Sequence, residues 1–324
     1  MNIDTVRIAA AHAPPVRPSV TVAICTYDRA RDVSRCLEAL APQARQALFR
    51  TIVVDSGSGP ATAVELRRLA ALHGVEYYRV ETPGVSLARN IAHRQSTSDW
   101  IVYLDDDAIP DPDWAESLLL TLSAAPAEVA VIGGKIRPKW PDNADTGHIT
   151  DRWKLLLSCV EQDGSGLVSE GYNVCCANLA VRRTSLDQAG GFPLKIGSVG
   201  TKMIFGEESY LIDRLFDLGA ISVYSDAFAV QHCISPERLE LQWISGRAYR
   251  EGMSRVRIMA ALGRPIPFNL GMAKLLASLP VLGALRILSS NPDYAIRYHM
   301  ARGSLLYQVG ELMRWLTPPR NRRT

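Results

Sequence analysis

A chain of 324 residues is long enough to bury a large hydrophobic core and to hold one large domain with an appendage. Its 36 basic and 33 acidic residues give a formal net charge of +3 at pH 7. That near balance argues against a protein that binds nucleic acid by neutralising phosphates, so we expect no nucleic-acid partner.

The amino-terminal 18 residues predict a flexible tail. They include tandem prolines and no apolar stretch of signal-peptide length, which argues against secretion. The six cysteines of the chain lie mostly within apolar segments and lack the paired spacing of a zinc site. We therefore expect reduced thiols in the core and a cytoplasmic location.

Apolar strands alternate with helices over the next part of the chain. Strands are predicted at 19–27, 51–54, 75–80 and 100–104, and helices at 32–41, around Leu66 and Leu69, and at 86–95. Such alternation implies βαβ units with right-handed crossovers and therefore a mainly parallel sheet. Residues 19–110 thus have the pattern of a nucleotide-binding half-domain.

Beyond residue 110 the pattern becomes irregular. Strands are predicted at 129–136 and 172–181, a helix at 207–218, and helical segments from 236 onward. The predicted fold class is α/β, with a mixed, mainly parallel sheet flanked by helices and a C-terminal helical appendage. We assign 19–235 to one domain with halves 19–110 and 111–235, and 236–324 to the appendage.

Three consecutive aspartates, Asp105, Asp106 and Asp107, follow the apolar run 100–104. Carboxylates at the carboxyl edge of a buried strand lie where open α/β sheets place their ligand crevice. Because three crowded acids repel one another, Mg²⁺ or Mn²⁺ would relieve the repulsion and could also clamp a diphosphate. The alternative is an acidic turn that caps the helix beginning near Trp114.

Four other acidic or basic side chains could carry chemistry. Asp55 ends the second strand, where a carboxylate can accept hydrogen bonds from a base or ribose, although it could also simply form a turn. Glu207 and Glu208 open an amphipathic helix that could aim a general base, although any Glu in a first turn also stabilises a helix through its macrodipole. His232 ends an apolar stretch and could be either a metal ligand or a structural residue.

Taken in order, these features resemble the family 2 glycosyltransferases of the GT-A fold, over residues 20 to about 255. Five segments carry the resemblance: the opening strand and loop (20–29), the base-binding loop (53–58), the Gly/Ala-Arg-Asn segment (84–90), the Asp-x-Asp motif (104–107) and the catalytic-base motif (206–208). Three residues depart from the family pattern. Cys25 stands where Pro is usual, Ser56 where a second Asp is common, and Glu208 where Asp is more frequent.

The resemblance implies an inverting, metal-dependent glycosyltransferase that moves a sugar from a nucleotide diphosphate sugar, with a UDP-sugar as the first candidate, to a hydroxyl acceptor in glycan, glycolipid or natural-product biosynthesis. It implies Glu208 or Glu207 as the catalytic base, and Asp107 and His232 as ligands of Mn²⁺ or Mg²⁺. Nucleotide contacts are implied for Thr26, Tyr27, Arg29, Asp55, Arg89, Asp105 and Asp106.

Two other classes of protein remain as alternatives. A nucleotidyltransferase also uses metal-bound acids beside a parallel sheet, but its Gly-rich activating loop after the first strand is missing here. A catalytically silent nucleotide-sugar-binding partner would keep the nucleotide contacts and could lose the base.

The C-terminal region, 268–316, has an apolar centre flanked by cations. The stretch 275–285, bounded by Lys274 and Arg286, is too short to cross a bilayer, which needs about 20 residues. Such segments can lie in the headgroup layer, which would give peripheral contact with the cytoplasmic face of a membrane. The competing prediction is that these helices pack on the rest of the protein or pair in a homodimer.

Overall fold

The computed structural model describes residues 17–167, 174–199, 205–264 and 270–316. Within these ranges the chain forms two compact units. The first unit holds 17–139, 158–167, 174–199 and 207–233, and the second holds 140–157, 205–206, 234–264 and 270–316. The predicted tail lies outside the described residues except for its last two positions.

The observed units differ from the predicted division at 235, because 140–157 belongs to the same unit as the C-terminal helices. Trp153 is buried in that unit, and its indole N–H donates to the carbonyl of Arg238 at 3.2 Å. Thr150 donates from its hydroxyl to Asp293 at 2.5 Å. These contacts join segments 85 and 143 residues apart, which no local pattern indicates.

The first unit is built on one sheet. Its strands are β1 (Val20–Thr26), β2 (Arg50–Ser56), β3 (Glu76–Val80), β4 (Trp100–Asp105), β5 (Ala108–Pro110), β6 (Val129–Lys139), β7 (Gly166–Leu167), β8 (Asn178–Arg182) and β9 (Ile221–Cys233). The strand order is β3-β2-β1-β4-β8-β6-β9-β5, with β7 beside β9. Neighbours among β3, β2, β1 and β4 are parallel, β8 is antiparallel to β4 and β6, and β9 is parallel to β6.

Helices flank this sheet and form the second unit. They are α1 (Ala30–Gln46), α2 (Pro60–His73), α3 (Val85–Gln95), α4 (Trp114–Ser123), α5 (Asp151–Leu156), α6 (Arg183–Ala189), α7 (Glu207–Asp217), α8 (Leu241–Ala261), α9 (Leu270–Leu288) and α10 (Pro292–Leu316). The predicted class, a mixed α/β sheet flanked by helices with helices at the C-terminal end, is confirmed. Within the described ranges, no helix is long and apolar enough to cross a membrane.

Strands at the centre of the sheet are apolar on both faces. Val22, Ile24, Val53 and Ile101 are all fully buried. Parallel strands covered by helices on both sides read as continuous apolar runs rather than alternating ones. That is why β1, β2 and β4 could be located from sequence to within two residues at both ends.

The predicted strand at 172–181 begins later, at Asn178, and its first two residues lie outside the described ranges. The Asn178 side chain is buried and accepts from the Trp114 indole N–H at 3.0 Å, while its amide donates to the carbonyls of Lys135 and Phe228. This buried polar side chain therefore links β8 to α4, β6 and β9. The short elements β5 and α6 were not predicted, since three and seven residues are too few to show a hydrophobic period.

In the second unit, α8 and α10 approach closely at two glycines. A Cβ atom on Gly252 would lie 2.0 Å from the Met300 carbonyl oxygen, and one on Gly303 would lie 2.0 Å from the Tyr249 carbonyl oxygen. The atoms that would be met belong to the backbone, so rotation of a side chain cannot relieve the overlap. The two helices must therefore separate if either glycine gains a side chain.

We expect Gly303→Ala to lower the free energy of unfolding by about 1–3 kcal/mol, the usual cost of overpacking, as measured by urea denaturation. Gly310→Ala is the matched control in the same helix, because a Cβ there meets nothing within 4 Å. Ala has the higher helix propensity, so the control should be neutral or up to about 1 kcal/mol more stable. Equal losses in both variants would contradict the close approach.

Candidate active site

The predicted site residues meet at the carboxyl edge of the parallel strands. The register of β1 sets Thr26 beside Asp55 of β2 and Cys25 beside Asp105 of β4. This edge is where doubly wound sheets bind ligands, since the strand ends leave a crevice there.

Asp106 and Asp107 are buried just after β4 and bind the loop that follows β1. One nitrogen of Arg29, Nη1, donates to Asp106 at 3.0 Å and to Asp107 at 2.9 Å. The Thr26 hydroxyl donates to the other oxygen of Asp106 at 2.6 Å. The N-cap residue of α4 is Asp113, without a side-chain hydrogen bond, so these contacts do not support the alternative that the aspartates cap this helix.

The crowded aspartates resist ionisation. Burial, followed by the charge of Asp107, raises the pKa of Asp106 to about 7, although Arg29 opposes the shift. Burial also raises the pKa of Asp105, against the opposing effect of Arg89. A further positive charge at this edge would favour the ionised carboxylates.

His232 reaches the same acids from the far end of the sheet. The pairing of β5 with β9 places it opposite Ala108, and its Nε2 lies 3.1 Å from Asp107 Oδ1. Burial disfavours the imidazolium, but the charge and hydrogen bond of Asp107, together with those of Cys159, outweigh it and raise the pKa of His232 to about 10. The ring therefore carries a proton at neutral pH unless another cation takes its place beside Asp107.

The donor set at this position suits a divalent metal ion. Carboxylate oxygens together with one imidazole nitrogen are accepted by Mn²⁺, and carboxylates by Mg²⁺. Among the described residues, no group of three or more His, Cys, Asp and Glu side chains is already arranged to hold a metal. In this arrangement the Asp107 carboxylate is held instead by Arg29 and His232.

Arg89, buried on α3, joins the end of β4 to the start of α7. Its Nη1 lies 2.6 Å from Glu207 Oε1 and 3.7 Å from Glu208 Oε2, and its Nη2 lies 3.4 Å from Asp105 Oδ1. Because of these ion pairs, the two glutamates lie on the same side of the sheet edge as the acid cluster. They are therefore not merely caps of an exposed helix end.

Glu207 and Glu208 have different surroundings. The Glu207 side chain is 9% exposed and takes the short ion pair with Arg89, whereas that of Glu208 is 22% exposed. Burial, then the adjacent charge of Glu207, raises the pKa of Glu208 to about 8. The Cys175 thiol, which was not predicted as part of the site, lies 3.8 Å from Glu208 Oε1. Glu208 thus has a raised pKa and is the more accessible of the pair.

Asp55 is fully buried and already has three donors. It accepts from the Ser58 backbone N–H at 2.9 Å, the Tyr77 hydroxyl at 2.7 Å and Arg79 Nη1 at 2.6 Å. Burial opposes ionisation, but these bonds outweigh it and lower the pKa of Asp55. Tyr77 and Arg79 were missed from sequence. The two residues are two positions apart on one strand, which puts both side chains on the same face, and this spacing was the sequence signal that could have identified them.

Tyr27, the remaining predicted residue, lies half-buried in the loop after β1.

A family model described as "Glycosyl transferase family 2" matches residues 21–188. The chain is 27% identical to the Glucosyl-dolichyl phosphate glucuronosyltransferase of Haloferax volcanii, over 75% of this chain and 78% of that protein. It is 26% identical to the Succinoglycan biosynthesis protein ExoM of Rhizobium meliloti, over 78% of this chain and 80% of that protein.

Two solved structures share the fold. Mannosyltransferase PcManGT from Pyrobaculum calidifontis, in complex with GDP-Man and Mn²⁺, superposes with a TM-score of 0.60 at 22% identity, over 94% of this chain and 90% of that one. TarS 1–349 of S. aureus in complex with UDP superposes with a TM-score of 0.50 at 16% identity, over 93% of each chain. The predicted GT-A fold is confirmed by these likenesses.

Proposed function

The chain belongs to glycosyl transferase family 2 and is a glycosyltransferase. From this premise we propose that it moves a sugar from a nucleotide diphosphate sugar to an acceptor hydroxyl. In this proposal the reaction inverts the anomeric configuration and requires a divalent metal. The observation that carries the proposal is a set of ion pairs made by Arg89. The Arg89 side chain contacts Asp105 at the end of β4 and also contacts Glu207 and Glu208 at the start of α7. The carboxylate at the end of β4 is suited to the donor, and the two carboxylates at the start of α7 are suited to the acceptor.

We assign the catalytic base to Glu208. Its raised pKa of about 8 and its residual exposure favour uptake of a proton from an acceptor hydroxyl, whereas Glu207 is occupied by Arg89. The acceptor oxygen attacks the anomeric carbon from the face opposite the diphosphate. The bond between that carbon and the diphosphate breaks, the electron pair leaves with the nucleoside diphosphate, and the acceptor proton passes to Glu208. One such displacement inverts the anomeric configuration.

On the metal side, we propose that Asp107 and His232 hold Mn²⁺ or Mg²⁺. A bound divalent ion supplies positive charge that neutralises the diphosphate as it leaves. The two similar structures, one in complex with GDP-Man and Mn²⁺ and one in complex with UDP, support a nucleotide donor and a divalent metal.

The remaining predicted residues surround the nucleotide in this proposal. Asp105 would hold the ribose, and Thr26, Tyr27, Arg29, Asp55 and Asp106 would form the base and phosphate side of the site. The family resemblance implied a nucleotide contact for Arg89 as well. Because it is buried and engaged by Glu207 and Asp105, we assign it a positioning role.

Thermal unfolding with UDP, GDP, ADP and CDP, each with and without Mn²⁺, tests the donor half of the proposal. A ligand at 100 times its Kd stabilises the folded state by about 2.7 kcal/mol, so one nucleotide with Mn²⁺ should raise the Tm. Release of the same nucleoside diphosphate from its sugar conjugate then tests catalysis. Binding without any release or transfer would favour the catalytically silent partner, and no Tm shift with any nucleotide would contradict the proposal.

A further inference from the structure

The outer face of α9 is a continuous apolar strip. Its residues recur every three or four positions, as one face of a helix requires, and all are exposed: Ala273, Leu276, Ala277, Pro280, Val281, Ala284, Ile287 and Leu288. Ile287 is 76% exposed and Leu288 is 82% exposed. We call these eight residues the α9 strip.

The opposite side of α9 is covered by α10. A Cβ on Gly283 would lie 3.5 Å from the Tyr298 ring, and the Arg286 guanidinium stacks 4.9 Å from the centroid of the same ring. A helix on a protein surface normally directs its apolar side inward. Here apolar residues point outward as well, and a contiguous exposed patch of this kind marks an interaction surface.

The chain segment that contains the strip carries charges of one sign. The chain has no Asp or Glu between Glu251 and Asp293, whereas it has five cations there: Arg255, Arg257, Arg264, Lys274 and Arg286. Lys274 and Arg286 are both exposed on α9 itself. Successive side chains of an α-helix are rotated by about 100° about the helix axis. Lys274, which follows the first residue of the strip, therefore lies at the edge of the strip.

This charge pattern decides which partner the strip fits. Two copies of the chain that paired symmetrically through α9 would add the cations of one copy to those of the other, without a carboxylate from this segment to offset them. An anionic bilayer instead offers negative headgroups to the cations and acyl chains to the strip. We propose that the α9 strip lies in the headgroup layer of a membrane that contains anionic phospholipid, and that it anchors the protein peripherally.

Vesicle flotation with the full-length protein tests this surface. Partitioning should be strong into vesicles of phosphatidylcholine with 30 mol% phosphatidylglycerol, should be much weaker into phosphatidylcholine alone, and should fall as salt rises. The double variant Ile287→Ser/Leu288→Ser should lower the partition coefficient by about tenfold or more, because it removes two of the most exposed apolar side chains. Lys274→Gln should lower it about fivefold on anionic vesicles only.

The matched control is Leu72→Ser/Leu120→Ser, which removes two exposed leucines of the first unit. Its partition coefficient should equal that of the unmodified protein, and urea denaturation should show that the variants are folded. No flotation on anionic vesicles at low salt overturns the proposal. Loss of a dimer in the α9 double variant, without any lipid binding, would show that the strip is an interface between copies. Nucleotide-induced Tm shifts should be the same in all variants, which separates this proposal from the proposed function.

Discussion

Replacement of Glu208 by Gln should lower kcat for sugar transfer by about 10²-fold or more, while the affinity for the donor stays nearly unchanged. Gln keeps the shape of the side chain but cannot take the acceptor proton. Steady-state kinetics with varied donor concentration separates the two effects. If Glu208→Gln is fully active and Glu207→Gln is inactive, the roles of the two residues are exchanged.

The pH profile gives a second readout of Glu208. Because its pKa is raised to about 8, the folded protein without ligands keeps a proton that the unfolded chain releases at about pH 4.5. The contribution of this group to stability is therefore greatest below pH 4.5 and is lost as the pH rises toward 8. Activity has the opposite trend, since the base must be ionised, so kcat/KM should rise toward pH 8. Glu208→Gln should lose both dependences.

Glu207→Gln serves as the matched neighbour in these measurements. The substitution removes the charge that pairs with the buried Arg89 guanidinium at 2.6 Å. Arg89 would keep only its longer ion pairs with Asp105 and Glu208, and removal of one partner of a buried ion pair costs about 3–5 kcal/mol in other proteins. We therefore expect its main effect in urea denaturation, with a smaller fall in kcat than that of Glu208→Gln.

Removal of divalent metal should have a comparably large effect. Excess EDTA should abolish transfer, and Mn²⁺ or Mg²⁺ should restore it, because neutralisation of the leaving diphosphate is worth several kcal/mol of barrier. Asp107→Ala should lower kcat/KM by about 10²-fold or more and should weaken Mn²⁺ binding in calorimetry. Asp105→Ala should act mainly on nucleotide affinity, since we assign that residue to the ribose.

Asp113→Ala is the control for these aspartates. Asp113 is exposed, belongs to the same Asp- and Pro-rich turn, and makes no side-chain cap hydrogen bond to α4. Its removal should leave both metal binding and transfer unchanged. Full activity of the unmodified protein in excess EDTA would contradict metal-dependent transfer, whichever aspartate is substituted.

Much of the fold could be predicted because the sheet has local signatures. β1 and β4 are apolar runs covered on both faces, and α1 shows an inward face of Val33 and Leu37. These patterns arise within a few residues of chain, so they survive without knowledge of the rest of the molecule. The strand at Asn178 was placed too early because its boundary depends on distant partners, β4 and β6, rather than on its own composition.

The positions of the acidic residues also follow from local sequence patterns, but the side chains that contact them do not. An Asp directly after a buried strand must emerge at the strand's end, so Asp55 and Asp105 were predictable as edge residues. The contacts of Arg29 with Asp106 and Asp107 connect residues more than 70 positions apart, and those of Arg89 with Glu207 more than 100. The choice of Glu208 over Glu207 depends on the second of these contacts.

The sequence by itself therefore determined the alternation of strands and helices, the strand ends at which carboxylates emerge, and the apolar period of α9. Periodicity acts over a turn or two of chain, and it cannot tell which side of a helix the rest of the molecule covers. Only the tertiary structure decided that α10 covers one side of α9 and leaves the strip exposed. It also decided that β9 pairs with β5 and sets His232 beside Asp107, because that contact depends on the register of strands more than 120 residues apart.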